Sequence, residues 1–433
     1  MADPAQQIDD WVDAHQDELV QFLQQLVQIP SESLPPEGHE AAAQEFVAKA
    51  FRQAGAEVDV FDPIDVPGLT EHPVYHPVWG DMPRNLENRP CVVGVFRGSG
   101  GGKSILMSSH IDTVGADDPA LWTEAAPFSA DIIDGKMYGR GTYDTKAGIA
   151  TALFAVRCLR DLRLPLKGDV IVESVSDEEF GGSHGTLACR LKGYNADIAI
   201  NCEPTNMHVA AATRGGGQWK ITVAGEAGMA LGGVERVSSS YKIAWVIEAL
   251  RQYNLKRNAD IPTPPLYAHE PGLPLYVSQI GGGGDTFAED QGAAPPSCYA
   301  NMWCEVYPGT TAEEHMHEIK TFVNSYLDGI EGFDGEYPEY ELELRFLPGS
   351  ETSTDHPIFA HLEDAYQSAD REYLVQGAPF ASDGYVFNLH SPTPVVTVGV
   401  GGDNAHAPNE YIYVQDLIDL TRIFARTMLS WSG

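Results

Sequence analysis

The residues best suited to chemistry in this sequence are two histidines and a set of acids that lie far apart along the chain. Each follows a short apolar run or sits in a glycine-containing loop, so each is expected at or near a strand end. Imidazoles and carboxylates gathered at strand ends are what a two-metal hydrolytic site at the carboxyl edge of an α/β sheet requires. The residues concerned are His110, Asp112, Asp144, Glu178, Glu179, Glu203 and His406.

Taken singly, each of these residues also has an ordinary structural explanation. A histidine after a strand is commonly a core or surface side chain, and Asp112 could form a turn as well as fix the tautomer of His110. The pair Glu178–Glu179 would usually belong to a solvated face. Here the pair follows an apolar strand and precedes a glycine-containing loop, where one carboxylate can bind a metal and the other can move a proton. The joint occurrence at successive strand ends favours the metal site.

The composition argues against several classes of partner. The chain has 433 residues, enough for two domains, and a formal net charge of −35. Nucleic acid and anionic membranes are therefore not expected as partners, because phosphate binding needs a basic surface. The acidity is compatible with adaptation to high salt or simply with an acidic surface. No apolar run approaches the roughly 20 residues of a membrane span.

The first residues and the cysteines indicate the compartment. Residues 1–7 lack the basic start and the apolar stretch of a signal peptide, so we expect a soluble cytoplasmic protein. The cysteines are scattered without a Cys-x-x-Cys spacing, which favours core thiols over disulfides or a zinc–thiolate site. They are Cys91, Cys158, Cys189, Cys202, Cys298 and Cys304.

Strand and helix patterns alternate through the first half of the chain. This alternation predicts an α/β fold with a mostly parallel sheet and helices on both faces. A last apolar strand, 393–400, precedes His406 near the end of the chain. The predicted helices are 8–29, 38–55 and 149–162, and the predicted strands are 91–96, 104–109, 169–175 and 196–201.

The middle of the chain has a different pattern. Strands are predicted at 217–224, 298–307 and 340–346, helices at 239–253 and 311–327, and a Pro- and Gly-rich stretch at 261–296. This order predicts a small α+β domain, residues 214–348, inserted into a discontinuous catalytic domain, residues 1–213 and 349–433.

The chain resembles the family of dinuclear zinc hydrolases that includes acetylornithine deacetylase, succinyl-diaminopimelate desuccinylase, aminoacylase and carboxypeptidase G. The motifs that carry the resemblance are Ser-His-Ile-Asp-Thr-Val, Gly-Arg-Gly-Thr-Tyr-Asp-Thr-Lys-Ala-Gly, Asp-Glu-Glu and Ala-His-Ala-Pro-Asn-Glu. Residues 61–63 and 166–169 look most like the deacylase and deformylase branch. The resemblance implies a zinc-peptidase-like catalytic domain and a lid domain with a four-stranded antiparallel sheet, through which the family forms homodimers.

The resemblance also implies a role for each site residue. Asp144 would bridge two metal ions, expected to be Zn²⁺ with Co²⁺ or Mn²⁺ as alternatives, and a cis peptide bond would follow it. His110 and Glu203 would complete one metal site, and Glu179 and His406 the other. Glu178 would be the general base, and Asp112 would hold the imidazole of His110.

The lid departs from the family pattern at two positions. Met229 stands where the family has a histidine that stabilises the oxyanion, and a thioether cannot donate a hydrogen bond. Met229 could instead line an apolar pocket, with Arg214, His269 or Asn301 as candidate lid or hinge donors. Glu305 lies near the position of an arginine that binds a substrate carboxylate in the family. A carboxylate there would repel such a substrate, so a neutral or cationic amide is expected rather than an N-acyl amino acid.

Together these features predict a binuclear amidohydrolase that cleaves the linear C–N bond of a small N-acyl or N-formyl amine. A water activated by the metals and deprotonated by Glu178 would attack the carbonyl. Two alternatives remain open: a dipeptidase or aminopeptidase on the same site, and a metal-binding but catalytically silent member of the family. Met229 favours the silent alternative, whereas the intact Glu178 argues against it.

Overall fold

The structure, a computed structural model, describes residues 3–79, 82–227, 237–282 and 294–433. The chain divides into two compact units. Unit 1 comprises Met1–Ala212, Glu351–Ala378 and Ser382–Gly433, and unit 2 comprises Thr213–Ser350 with Pro379–Ala381. The inserted domain predicted at 214–348 falls within unit 2. Among the described helices, none is both long and apolar enough to cross a membrane.

Helices and strands are interspersed along the described parts of the chain. The helices are α1 (Pro4–Val27), α2 (Ala41–Gln53), α3 (Ala147–Asp161), α4 (Gly185–Leu191), α5 (Ser239–Asp260), α6 (Ala312–Leu327), α7 (Ile358–Ser368), α8 (Gly384–His390) and α9 (Val414–Ser432). The strands are β1 (Ser33–Leu34), β2 (Glu37–Gly38), β3 (Glu57–Phe61), β4 (Val78–Trp79), β5 (Met82–Pro83), β6 (Cys91–Phe96), β7 (Ile105–His110), β8 (Ile132–Ile133), β9 (Lys136–Tyr138), β10 (Val170–Val175), β11 (Ala199–Asn201), β12 (Val209–Thr213), β13 (Gly215–Ala224), β14 (Leu275–Gly282), β15 (Ser297–Val306), β16 (Glu339–Leu347), β17 (Ser350–Glu351), β18 (Val375–Ala378), β19 (Val395–Thr397), β20 (Gly402–Asp403) and β21 (Tyr411–Tyr413).

A nine-stranded mixed sheet forms the centre of unit 1. Its strands run in the order β17-β12-β19-β11-β7-β10-β6-β3, and β18 pairs with β12. The four strands β19, β11, β7 and β10 are parallel to one another. On one side β6 pairs antiparallel with β10 and β3 pairs antiparallel with β6, and on the other side β12 pairs antiparallel with β19. The predicted α/β class is confirmed, with the parallel strands confined to the middle of the sheet. A strand buried on both faces has the same apolar pattern in either direction, so sequence alone does not distinguish the antiparallel strands.

Helices cover both faces of this sheet because alternate side chains of each strand point to opposite sides. On β6, Cys91 and Val93 belong to an apolar cluster that includes Cys189 of α4 and Phe387 of α8. Gly94 points the other way, and a Cβ there would lie 2.7 Å from the ring of Phe51 on α2. Glycine therefore allows α2 to pack closely on the sheet.

Unit 2 contains a four-stranded antiparallel sheet in the order β14-β15-β13-β16. One face, which includes Trp219 and Ile221, packs on α5 and α6 in an apolar core. A capping box formed by Thr311 and Glu314 begins α6. The predicted four-stranded sheet is confirmed, and its edge strand β14 lies in the stretch that the sequence indicated only as Pro- and Gly-rich.

Candidate metal centre

Three neighbouring parallel strands deliver most of the predicted site residues to one edge of the sheet. His110 is the last residue of β7, the pair Glu178–Glu179 follows β10, and Glu203 follows β11. Because β7 pairs in parallel with both β10 and β11, the three strands end side by side. The histidine and these acids therefore lie at the carboxyl edge, where α/β sheets bind their ligands.

Asp144 reaches the same edge from the loop that precedes α3. A Cβ at Gly148, in the first turn of α3, would lie 2.4 Å from the Cβ atom of Cys202 and 2.7 Å from the Oγ atom of Ser109. Glycine therefore lets α3 begin directly against the ends of β7 and β11. The peptide bond between Asp144 and Thr145 is cis, as the family resemblance predicts.

The carboxylate of Asp144 lies between the two histidines. Its Oδ1 atom is 2.9 Å from Nε2 of His110, and its Oδ2 atom is 3.0 Å from Nε2 of His406. Burial alone would raise the pKa of Asp144, but the contacts with both imidazoles outweigh it and hold the pKa below its usual range. Each oxygen of an ionised Asp144 thus faces a different imidazole.

The ring of His110 is oriented by the backbone. Its Nδ1 atom lies 2.8 Å from the carbonyl oxygen of Asp112, which can only accept, so Nδ1 carries the hydrogen. The Nε2 atom then faces the carboxylates of Asp144 at 2.9 Å and Glu203 at 3.7 Å. Burial lowers the pKa of His110, but Glu203 and Asp144 outweigh that effect and raise it well above its ordinary value. This cluster requires either a proton or a metal cation beside Nε2.

The carboxylate of Asp112 makes a different contact from the predicted one. Its Oδ1 atom is 3.8 Å from Nδ1 of His110, too far for a hydrogen bond, because the backbone carbonyl of the same residue occupies that position. The two carboxylate oxygens instead accept the backbone N–H groups of Glu178 and Glu179, each at 3.1 Å. Asp112 therefore orients His110 through its backbone and positions the acidic pair through its side chain.

Glu179 and His406 approach each other on the more open side of the cluster. The Oε2 atom of Glu179 lies 3.0 Å from Nε2 of His406, and its Oε1 atom accepts the N–H of Val114 at 3.1 Å. The side chain of His406 is 55% exposed, whereas that of Glu179 is 6% exposed. The negative charge of Glu179, together with that of Asp144, raises the pKa of His406 to about 12.

Glu178 and Glu203 lie close to His110 with little compensation for their charge. The Oε1 atom of Glu178 accepts the N–H of Asp383 at 3.1 Å, and its Oε2 atom is 3.9 Å from Nε2 of His110. Burial and the charge of Glu203 raise the pKa of Glu178 well above its usual value. Burial raises the pKa of Glu203 to about 7. The Oε1 atom of Glu203 is buried and has no hydrogen-bond partner in the described part of the chain.

The donor set fits divalent metal ions. Oxygen and nitrogen atoms of His110, Asp144 and Glu179 lie within 4.8 Å of one another, and so do those of His110, Glu178 and Glu203. Within the described ranges, every ion pair of these four acids involves an imidazole rather than lysine or arginine. The surplus negative charge and the orphaned oxygen of Glu203 are what a bound cation would satisfy. Carboxylate and imidazole ligands without thiolate suit Zn²⁺, Co²⁺ or Mn²⁺.

Sequence reasoning missed two buried acids that support the site. Glu410 accepts hydrogen bonds from the loop that carries Asp144, and the backbone of Asp383 donates to Glu178. The side chain of Asp383 is itself held by Asn201 and Thr186, each at 2.6 Å. Glu410 could have been found as the acid that ends the Ala-His-Ala-Pro-Asn-Glu motif. Asp383 has no comparable signal.

Three of the predicted lid residues, Arg214, Asn301 and Glu305, belong to unit 2 and have partners there. Met229 lies outside the described residues. Arg214 donates to Glu305 at 3.1 Å and to two backbone carbonyls, and Trp303 donates to Glu305 at 3.2 Å. The amide of Asn301 donates to Gln279 at 3.3 Å. The carboxylate of Glu305 is therefore paired with the guanidinium of Arg214, while its predicted effect on a substrate carboxylate stays a prediction.

Comparisons with known proteins agree with this fold. A model of Peptidase family M20/M25/M40 matches residues 106–430. The N-formyl-4-amino-5-aminomethyl-2-methylpyrimidine deformylase of Bacillus subtilis (strain 168) is 27% identical over 97% of this chain and 96% of its own length. The succinyl-diaminopimelate desuccinylase of Rhodospirillum centenum is 25% identical over 76% of this chain and 82% of its own length.

Two solved structures show the same fold at low sequence identity. The dipeptidase Dug1p of Saccharomyces cerevisiae has a TM-score of 0.75 and 14% identity, covering 100% of this chain and 99% of that one. A dinuclear metal-binding peptidase of Bacillus subtilis has a TM-score of 0.65 and 13% identity, covering 96% and 98% of the two chains. At these identities the likeness extends to the architecture alone.

Proposed function

Because this chain belongs to peptidase family M20/M25/M40 and is a hydrolase of amide bonds, we propose that it removes a formyl or another small acyl group from an amine. The proposed enzyme uses two divalent metal ions, with Zn²⁺ as the first choice and Co²⁺ or Mn²⁺ as alternatives.

The observation that carries this proposal is the position of Asp144. Its two oxygens face different histidines, and no lysine or arginine within the described ranges forms an ion pair with it. One metal would be held by His110 and Glu203, the other by Glu179 and His406, with Asp144 shared between them. Metals at this site would lower the pKa of a bound water and polarise the carbonyl of the amide.

Glu178 is the proposed general base. The N–H of Asp383 holds one of its oxygens, which leaves the other turned towards His110 and the neighbouring carboxylates. The raised pKa of Glu178 suits a group that accepts a proton from water and then delivers it to the leaving amine. Asp112 supports this role because its carboxylate fixes the backbone at Glu178 and Glu179.

The choice of an N-formyl or small N-acyl amine as substrate rests on the full-length relative named as a deformylase. Glu305 pairs with Arg214 at 3.1 Å, so its charge alone does not select the amine. The proposed substrate is therefore defined by its small acyl group rather than by the charge of its amine. Homodimerisation through unit 2 is a separate proposal, which sedimentation velocity would test.

The test compares acyl groups on metal-loaded protein. Purified chain, stripped of metal and reloaded with Zn²⁺, Co²⁺ or Mn²⁺, is given an N-formyl aminomethylpyrimidine, its N-acetyl analogue, N-succinyl-diaminopimelate and a dipeptide. We expect metal-dependent cleavage of the N-formyl or N-acetyl amine. Its kcat/KM should exceed the values for N-succinyl-diaminopimelate and for the dipeptide. Faster cleavage of the dipeptide would replace the proposal with the peptidase alternative. Metal binding without turnover of any of these amides would favour a silent family member.

A further inference from the structure

Glu410 receives an unusual concentration of hydrogen bonds. Its side chain is fully buried and accepts the backbone N–H groups of Gly141 at 3.1 Å, Tyr143 at 2.8 Å and Asp144 at 3.1 Å. The guanidinium of Arg140 completes the set, with Nη1 at 2.8 Å from Oε2. Both carboxylate oxygens therefore bind the loop that ends at Asp144.

The same residue is tied to the loop of His406 by the chain itself. Glu410 comes four positions after His406 and directly before β21, which pairs antiparallel with β9. Its carbonyl oxygen accepts the N–H of Gly139, so main chain and side chain of Glu410 hold the segment 139–144 at both ends. A single residue thus joins the loop that presents Asp144 to the loop that presents His406.

We infer that Glu410 is a positioning residue that sets the place of Asp144 relative to His406. This inference rests on the proposed two-metal site, because the positioned groups are the shared ligand and a ligand of the second metal. In the structure the two side chains meet with Oδ2 of Asp144 at 3.0 Å from Nε2 of His406.

The physical reason is that the donors of this loop share one acceptor. Three backbone N–H groups and Nη1 of Arg140 donate to the carboxylate of Glu410, while Nη2 of Arg140 reaches Asp117 at 3.5 Å. Glutamine at position 410 would place an amide NH₂ against some of these donors, because only one of its two polar atoms can accept. The loop would then shift to find other acceptors, and Asp144 would move with it.

The decisive experiment measures metal binding rather than turnover alone. Metal-free wild type and the Glu410→Gln variant are titrated with Zn²⁺ by calorimetry and with Co²⁺ by visible absorption. We expect two ions in wild type, and in Glu410→Gln a roughly 10–100-fold weaker second ion, the usual effect of removing a group that orients a ligand. Saturating metal should restore most of kcat, because Glu410 acts through ligand position and does not touch the substrate.

A matched control separates positioning from general stability. Glu173 is also a fully buried acid of unit 1, and it pairs with Arg190 rather than with either ligand loop. Glu173→Gln should keep wild-type metal affinities even though it loses stability. Equal weakening of metal binding in both variants would overturn the inference, since the effect would then follow from stability alone.

The remaining outcomes keep this inference distinct from the proposed function. Wild type that binds fewer than two ions contradicts the two-metal site itself. Two ions bound with unchanged affinity and an unchanged Co²⁺ spectrum in Glu410→Gln overturn only the role of Glu410. If Glu410→Gln does not fold, the Glu410→Asp variant, which keeps the charge but has a shorter side chain, takes its place. It should bind the second metal ion more weakly than wild type. Loss of folding in both variants also counts against the inference, since the residue would then serve the fold as a whole.

Discussion

Two groups of buried acids meet at Asp112, and they differ in how their charge is compensated. On one side, oxygens of Glu40, Asp112 and Asp177 lie within 4.8 Å of one another. On the other side lie Asp144 and the acids around His110. In the first group Asp177 and Glu40 pair with arginines, whereas the acids of the second group pair only with imidazoles among the described residues.

The arginine-compensated group consists of Asp177 and Glu40, each of which pairs with a guanidinium. Asp177 contacts the guanidinium groups of Arg84 and Arg89 and the imidazole of His184, and Arg89 also holds Glu40. Burial alone would raise the pKa of Asp177, but His184 and Arg89 outweigh it and keep the pKa below its usual range. These contacts hold the backbone at Asp177, directly before the pair Glu178–Glu179.

The difference between the groups is sharpest at neighbouring residues. Asp177 has a lowered pKa and Glu178 a raised one, although they are adjacent in the chain. Only the partners differ, since Asp177 faces two arginines and Glu178 faces further carboxylates. Acids paired with arginine, such as Asp177, stabilise the fold. Acids surrounded by other carboxylates, such as Glu178, are suited to bind a metal, a proton or a substrate.

Among substitutions in these two groups of acids, the largest expected effect is on turnover. Glu178→Gln keeps the size of the side chain but cannot accept a proton from water. We expect kcat to fall by roughly 10²–10⁴, the usual cost of a lost general base, with two metal ions still bound. Steady-state kinetics together with metal analysis provide the check. Turnover near the wild-type value would show that Glu178 is misassigned, and loss of metal would show that it is a ligand.

The neighbouring substitution should act on stability instead. Asp177→Asn removes the charge that Arg84, Arg89 and His184 share, and it leaves these cations buried without their counterion. Breaking a buried pair in this way costs about 3–5 kcal/mol in free energy of unfolding. Urea unfolding of metal-loaded protein measures the loss. An Asp177→Asn variant as stable as wild type would contradict the division between the two groups.

Removal of metal should lower the free energy of unfolding only through the acids of the second group, around Asp144 and His110. A ligand that binds the folded chain alone adds about 2.7 kcal/mol of stability at a free concentration 100 times its dissociation constant. We expect a chelator to lower the free energy of unfolding of wild type by a difference of this order for each tightly bound ion. Asp177→Asn should show the same chelator-dependent difference, because its defect lies in the arginine-compensated group. A chelator effect that vanishes in Asp177→Asn would show that the two groups are one unit.

Much of the site could be predicted because parallel strands end at a common edge. That rule alone brings His110, Glu178 and Glu203 together without knowledge of any contact. The partners of these residues could not be predicted in the same way. Arg84 and Asp177 meet across a separation of 93 residues, and nothing in their local sequence indicates the pairing.

Sequence spacing gave the wrong contact where the backbone and the side chain of one residue compete for the same hydrogen-bond partner. The spacing of His110 and Asp112 suggests a carboxylate–imidazole contact, yet the carbonyl of Asp112 takes that position. The carboxylate is then free to bind the N–H groups at Glu178 and Glu179, which belong to another strand end. The fold is therefore needed to decide between two hydrogen bonds that the sequence allows equally.

The smallest expected effect is on the stability of the Glu203→Gln variant, and it tests directly whether the charge of Glu203 is uncompensated. Glu203 is buried, its Oε1 atom lacks a hydrogen-bond partner among the described residues, and its nearest cationic group is His110 at 3.7 Å. In metal-free protein, Glu203→Gln replaces a buried charge by a neutral amide of the same size. We expect the free energy of unfolding to stay constant or rise by about 1 kcal/mol, because an amide is easier to bury than an unpaired carboxylate.

With metal added, the order of stabilities should reverse. Wild type gains the binding free energy of both ions, whereas Glu203→Gln has lost a charged ligand and gains less. The measurement is a pair of urea unfolding curves for each protein, one with chelator and one with Zn²⁺. The arginine-compensated group provides the contrast, since Asp177→Asn should be less stable than wild type under both conditions. If Glu203→Gln is destabilised without metal as strongly as Asp177→Asn, then Glu203 has a compensating partner in the chain and the distinction between the two groups fails.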